Sequence, residues 1–133
     1  MVYTYSASVK HAPGFSVIGV EDAPEGWILM FTVRVTAENP MPPVPLPEVT
    51  ATTSRGDKLR ILGSGGWQVG ETWTGKLLLA PRLSGQATIV IHGFTTDRNL
   101  TDRQLKKIGE TRGRLAGPWE VKVSRVGPVS TGD

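Results

Sequence analysis

The chain has 133 residues, 15 Lys and Arg against 12 Asp and Glu for a formal charge of +3, and no cysteine. That length suits one domain, residues 1–133, able to bury roughly two-thirds of the surface its unfolded form exposes without a disulfide or metal staple. Disulfides, cysteine-based zinc sites and a cysteine nucleophile are excluded, and 38% hydrophobic with 20% charged residues describes a globular chain, not a disordered, collagenous or membrane-embedded one.

From the start, Met1 to Lys10 has neither a basic leader nor an apolar run, so it does not read as a signal peptide. With Met1 as the native start a cytoplasmic protein is expected; an extracytoplasmic domain trimmed from a longer chain fits equally. Tyr3 to Val9 is a weak first strand, and Phe15 to Val20 a second, divided by the turn Ala12-Pro13-Gly14 after His11. After the turn Asp22-Ala23-Pro24-Glu25-Gly26 comes the clearest periodicity. Trp27, Leu29, Phe31, Val33 and Val35 alternate with Ile28, Met30, Thr32, Arg34 and Thr36, the period-two signature of a strand with one face in the core.

Residues 39–47 carry five prolines in nine positions. They remove backbone donors and favour extended geometry, so the segment is a stiff crossover or an edge guard and cannot be a central strand; a proline-rich ligand for a partner is the sharper reading. Weak strands follow at Pro47 to Thr53 and Lys58 to Leu62, around Ser54-Arg55-Gly56-Asp57. The Arg-Gly-Asp tripeptide there matches an integrin-binding motif, but a hairpin turn accounts for Gly56 and Asp57. Gly63-Ser64-Gly65-Gly66 lacks the Lys-Ser/Thr ending of a phosphate loop and reads as a flexible loop. Trp67, beside it, reads as a lid on one end of the fold or as an exposed stacking platform. Thr72 to Leu79 and Gln86 to Phe94 are β-branched apolar runs joined by residues 80–85, and Trp119, Val121 and Val123 alternate with Glu120, Lys122 and Ser124 in a last half-buried strand. Trp27 and Trp119 fall on apolar phases and are expected in the core.

Seven or eight short strands with evenly spaced turns, rich in the 16 glycines and 10 prolines, give an all-β prediction: an immunoglobulin-like sandwich with one short helical insertion. That insertion, within Thr95 to Leu115, has Thr101 and Gln104 at capping-box spacing, Asp102 in the first turn, Lys106 and Lys107 in the last, and Gly109 as a stop. A helix of about two turns is expected, with Leu105 and Ile108 inward.

The charge is unevenly placed. Asp97 to Arg114 holds six basic residues, Arg98, Arg103, Lys106, Lys107, Arg112 and Arg114, against three acidic ones, leaving nine of each elsewhere. The whole excess therefore sits in this insertion, a positive patch suited to an acidic protein surface or to phosphate. It lacks the aromatics that stack on bases, Trp67 being the one nearby candidate.

No catalytic chemistry is legible. His11 and His92 are the only histidines, and no H-E-x-x-H, carboxylate-rich loop or G-x-S-x-G occurs, so no metal, cofactor or nucleophile is expected. No stretch approaches the roughly 20 apolar residues of a membrane span.

From Thr53 onward, Ser54-Arg55-Gly56-Asp57-Lys58-Leu59, Trp73-Thr74-Gly75-Lys76, Ala80-Pro81, Ile89-Val90-Ile91 and Gly117-Pro118-Trp119-Glu120-Val121 follow an order that resembles immunoglobulin-like sandwich domains of Gram-positive and actinobacterial proteins, including those of some anti-sigma factors. The resemblance departs at Ser54-Arg55, where an acidic pair is usual, and at the basic insertion. It implies a sandwich with a non-catalytic role and assigns no site residues. The expected function is thus an interaction or accessory module that meets a protein partner or acidic surface through Arg98, Arg103, Lys106, Lys107, Arg112 and Arg114. The alternatives are nucleic-acid binding by the same patch, helped by Trp67, and small-molecule or carbohydrate binding near Trp67 and Trp73.

Overall fold

The computed structural model describes residues 2–10 and 12–129; His11 lies outside them. In chain order the strands are β1 (Val2–Val9), β2 (Phe15–Asp22), β3 (Trp27–Arg34), β4 (Pro45–Thr53), β5 (Arg60–Val69), β6 (Thr72–Ala80), β7 (Gln86–Thr96) and β8 (Arg114–Val129), with α1 (Asp102–Lys107) between the last two. They form two four-stranded antiparallel sheets, β1-β8-β7-β4 and β2-β3-β6-β5, which pack as a sandwich.

The alternation read at 27–36 acts as expected. Trp27, Leu29, Phe31 and Val33 are buried from β3 while Ile28, Met30 and Thr32 are only half-buried. Leu77 and Leu79 of β6 join them from the same sheet, and Ile89, Ile91, Val121 and Val123 of β7 and β8 close the core from the other. Burying each such aliphatic side chain stabilises the fold by about 1.5–3 kcal/mol. Gly75 sits opposite Phe31, where a Cβ would come within 2.5 Å of the Phe31 ring; the missing side chain gives that ring its place. At one end of the core Phe15 stacks on Phe31 at 5.5 Å and on Trp119 at 5.6 Å between ring centres, and Phe94 packs against both partners. Trp27 is fully buried as expected, while Trp119 is half-buried against the core.

Two expectations are corrected. The strand expected at Lys58 to Leu62 starts at Arg60 and continues to Val69, straight through Gly63-Ser64-Gly65-Gly66 and Trp67, which were read as loop. Its residues pair with β6 from Arg60↔Ala80 to Val69↔Thr72. Alternation is missing because β5 is an edge strand whose side chains are exposed on either phase. Ile108, expected to face inward with Leu105, is 62% exposed, because the helix is only six residues long and ends at Ile108 as its C-cap.

The proline-rich crossover carries the chain from β3 in one sheet to β4 in the other, and Pro45 and Pro47 lie in β4, an edge strand, as their missing N–H groups require. Among the described residues no helix is long and apolar enough to cross a membrane.

Candidate functional site

The insertion closes the β7–β8 hairpin. Its capping box is complete: the Thr101 hydroxyl accepts from Gln104 N at 3.1 Å, and Thr101 N donates to Gln104 Oε1 at 2.8 Å. Leu105 is buried and anchors the helix. Of the six basic residues, two are engaged within the molecule. Arg112 donates to the carbonyl oxygens of Thr96, Asp97 and Leu100 and faces Asp102 at 3.5 Å, holding the insertion shut from inside. Arg114 Nε donates to Glu48 Oε1 at 3.1 Å, fastening β8 to β4 across β7. Arg98, Arg103, Lys106 and Lys107 are exposed and make no ion pair among the described residues.

Arg98 is set apart from the other three by its surroundings. It lines a groove of about 590 Å³ that runs along β4 and is walled on the far side by Ile61, Leu62 and Ser64 of β5. A smaller recess of about 180 Å³ opens beside it, sharing Pro47 and Ser64 and lined by Phe31, Trp73 and Phe94 of the core. This flank of the sandwich is open. β4 and β5 are the edges of opposite sheets, and beyond the backbone pairing of Thr52 with Lys58 no strand among the described residues bridges them.

Local sequence explains the opening. Gly66 lies over Trp73: a Cβ there would meet the indole Cζ2 at 2.6 Å, so only glycine lets β5 pass so close to the ring. The indole N–H of Trp73 is enclosed without an acceptor among the described residues. At Gly63 and Gly65 an added Cβ would meet nothing within 4 Å, leaving the strand's surface bare. At the mouth of the recess Val44, a β-branched residue, holds φ of 45°, a left-handed conformation that costs about 1–2 kcal/mol.

Trp67, weighed as a lid or a platform, is 49% exposed, with Lys76 Nζ 5.9 Å from its ring centre. None of the six basic residues of the insertion is stacked on it. The apolar side chains left open on β5 are Ile61, Leu62, Trp67 and Val69. Charge lining the groove and recess is unbalanced: Glu48 is taken by Arg114, while Lys76 and Arg98 have no carboxylate partner among the described residues.

Sequence reasoning missed this flank because it read residues 63–67 as loop. The available signal was Val69-Gly70-Glu71-Thr72, a two-residue hairpin connection with Gly70 at φ of 58°, which obliges the residues before it to pair with those after it.

Catalytic geometry is thin. His92 Nε2 lies 2.9 Å from the Thr50 hydroxyl on the exposed face of β7 and β4, but among the described residues no carboxylate bonds the imidazole to orient it as a base. Among the same residues no group of three or more His, Asp or Glu side chains is placed to hold a metal ion. No protein-family model matches the chain, and no curated protein matches it.

Proposed function

We propose that this chain is a non-enzymatic interaction module: a sandwich scaffold that meets a protein partner through the exposed basic side chains of the β7–β8 insertion. The observation that carries it is the division of labour among the six basic residues. Arg112 and Arg114 are spent on holding the insertion in place, whereas Arg98, Arg103, Lys106 and Lys107 are held out on a capped, anchored helix and its entry loop with no carboxylate to neutralise them. A rigid mount for unpaired cations suits a complementary acidic surface. The order β2-β3-β6-β5 against β8-β7-β4 supports an immunoglobulin-like reading, since four strands face three in the arrangement common to such domains, with β1 added at the edge.

The test is a triple variant, Arg103→Glu, Lys106→Glu and Lys107→Glu, compared with the wild type in crosslinking and capture from the source cell. Loss of specific partners is the expected result; an unchanged set of partners removes the insertion as the contact. Nucleic-acid binding by the same residues predicts an oligonucleotide affinity that drops on the order of 10³-fold between about 50 and 200 mM salt. The one cation set over the Trp67 ring among the described residues is Lys76 of β6, not a residue of the insertion, which does not favour that alternative.

A further inference from the structure

We propose that the free edge of β5 is a strand-addition site for an extended, acidic segment of a partner protein. The inference rests on the reading of the chain as an interaction module and adds to it a second surface and a binding mode.

An edge strand presents a row of unpaired backbone groups, and folded proteins ordinarily blunt such an edge with proline, inward charge, a covering loop or shortness. The two edges that meet at the open flank differ in this respect. β4 carries Pro45 and Pro47, which cannot donate a hydrogen bond to an added strand. β5 is ten residues long, has no proline, and is exposed at every position except the half-buried Gly63. A single irregularity, between Ile61 and Gly63, interrupts its pairing with β6. Of the two neighbouring edges β5 alone offers a regular stretch without proline, Gly63 to Val69, fit to accept a strand.

Its surface also has places for the side chains of an added strand. On the outer face Trp67 stands at register with Thr74, and Gly65 at register with Lys76 leaves a gap beside the indole. A partner side chain laid next to Gly65 would be covered by the Trp67 ring, the arrangement by which an aromatic compensates for a glycine in a neighbouring strand. On the other side, the groove and recess between β5 and β4 offer room to alternate residues, with Phe31, Trp73 and Phe94 as an apolar lining. Strand addition in general derives affinity from main-chain bonds and specificity from such alternate pockets.

The charge selects the partner. Arg60 begins β5, Lys76 lies beside its middle, and Arg98 reaches the groove from the insertion, none with a carboxylate partner among the described residues. An added strand with acidic residues at alternate positions would neutralise them. A second copy of this chain fits less well, because each copy brings the same unpaired cations to the junction.

The probe is a capped nine-residue peptide of alternating Glu and Val, with a Lys and Val counterpart. At a concentration about ten times its dissociation constant, the Glu peptide is expected to slow amide exchange along residues 61–69 roughly ten-fold. Arg60→Glu with Lys76→Glu is expected to weaken the Glu peptide roughly ten-fold and to turn preference towards the Lys peptide. Arg60→Glu alone, at an exposed position at the start of β5, supplies the same charge test should the double variant fail to fold. Absence of protection on β5 with either peptide, or equal binding of both, overturns the proposal. Protection of β5 without peptide, together with a dimer in sedimentation, overturns the occupant in favour of a second copy. The insertion variant Arg103→Glu/Lys106→Glu/Lys107→Glu is expected to keep binding the Glu peptide, so loss of its cellular partners and loss of β5 protection are separate results.

Discussion

The sandwich has two flanks, and they are built in opposite ways. Where β1 meets β2, one carboxylate gathers the parts: Asp22, its side chain 7% exposed, accepts from the Tyr5 hydroxyl at 3.0 Å and from Tyr3 N at 3.4 Å, and faces Arg82 at 3.7 Å. Arg82 in turn donates to the Ala23 carbonyl, and Tyr5 stacks on the buried Trp27 with ring centres 6.0 Å apart. Where β4 meets β5 the backbone pairs at one end, Thr52 with Lys58 and Leu59 N donating to Ala51 O, and along the rest a groove takes the place of any side-chain clasp among the described residues. The difference teaches that polar side chains bind the sheets together on one flank, whereas on the other the backbone joins them only at the Thr52–Leu59 end. With its side-chain clasp confined to the β1–β2 flank, the sandwich leaves backbone and apolar surface exposed along β5.

The largest effect is expected from undoing the closed flank. Asp22→Ala leaves the Tyr5 hydroxyl and Arg82 without their shared acceptor and should cost about 2–3 kcal/mol in urea denaturation. A cost below about 0.5 kcal/mol would mean that Asp22 does not join the sheets, and the contrast would lapse. Next comes the wall of the open flank. Gly66→Ala forces either Trp73 or β5 to move and should cost about 1–3 kcal/mol with a change in tryptophan fluorescence. Gly63→Ala, facing open space, should stay within about 0.5 kcal/mol of wild type. Equal costs at the two glycines would show β5 to be mobile over the recess.

A titration isolates the closed flank without disturbing packing. Burial, reinforced by the hydrogen bond to Asp22 and its negative charge, pushes the Tyr5 phenol up to about 12 from its ordinary 10.0. Below pH 10 the proton is bound in both folded and unfolded chains and the contribution is complete. As pH rises from 10 towards 12 the unfolded chain releases that proton while the folded one retains it, so stability falls. Tyr5→Phe should flatten that part of the stability profile, measured by denaturation at successive alkaline pH values; an unaltered slope would assign the fall to other groups.

Much of this architecture was legible in the residues, and the parts that were not share a cause. Alternation at Trp27 to Val35 and at Trp119 to Val123 exposes a strand because one face of each is in the core, and the capping spacing of Thr101 and Gln104 exposes the helix because both partners are local. β5 was hidden because an open edge imposes no pattern: with neither phase buried, Gly63 to Gly66 reads as loop while it pairs along β6. Counting charge found the basic insertion but could not separate Arg112 and Arg114, consumed by carbonyls and by Glu48, from Lys106 and Lys107, because those partners are 12 or more positions away. Asp22 passed for an ordinary turn residue for the same reason, its clasp reaching Tyr5 across 17 positions.

The smallest expected effect is the most direct check on the open flank. Val69 is 71% exposed at the end of β5, so little of the roughly 1.5–3 kcal/mol available to a buried valine is at stake in the isolated protein. Val69→Ser should therefore change stability by no more than about 0.5 kcal/mol, and Trp67→Ala, at 49% exposure, by little more. Chemical denaturation at low and high protein concentration measures both. A loss above about 1 kcal/mol at either position would mean that something covers β5 in solution. Dependence of that loss on protein concentration would identify the cover as another copy of the chain, since only association responds to concentration. Small losses at every concentration leave the edge bare in the free protein, which is the state in which an incoming strand would find it.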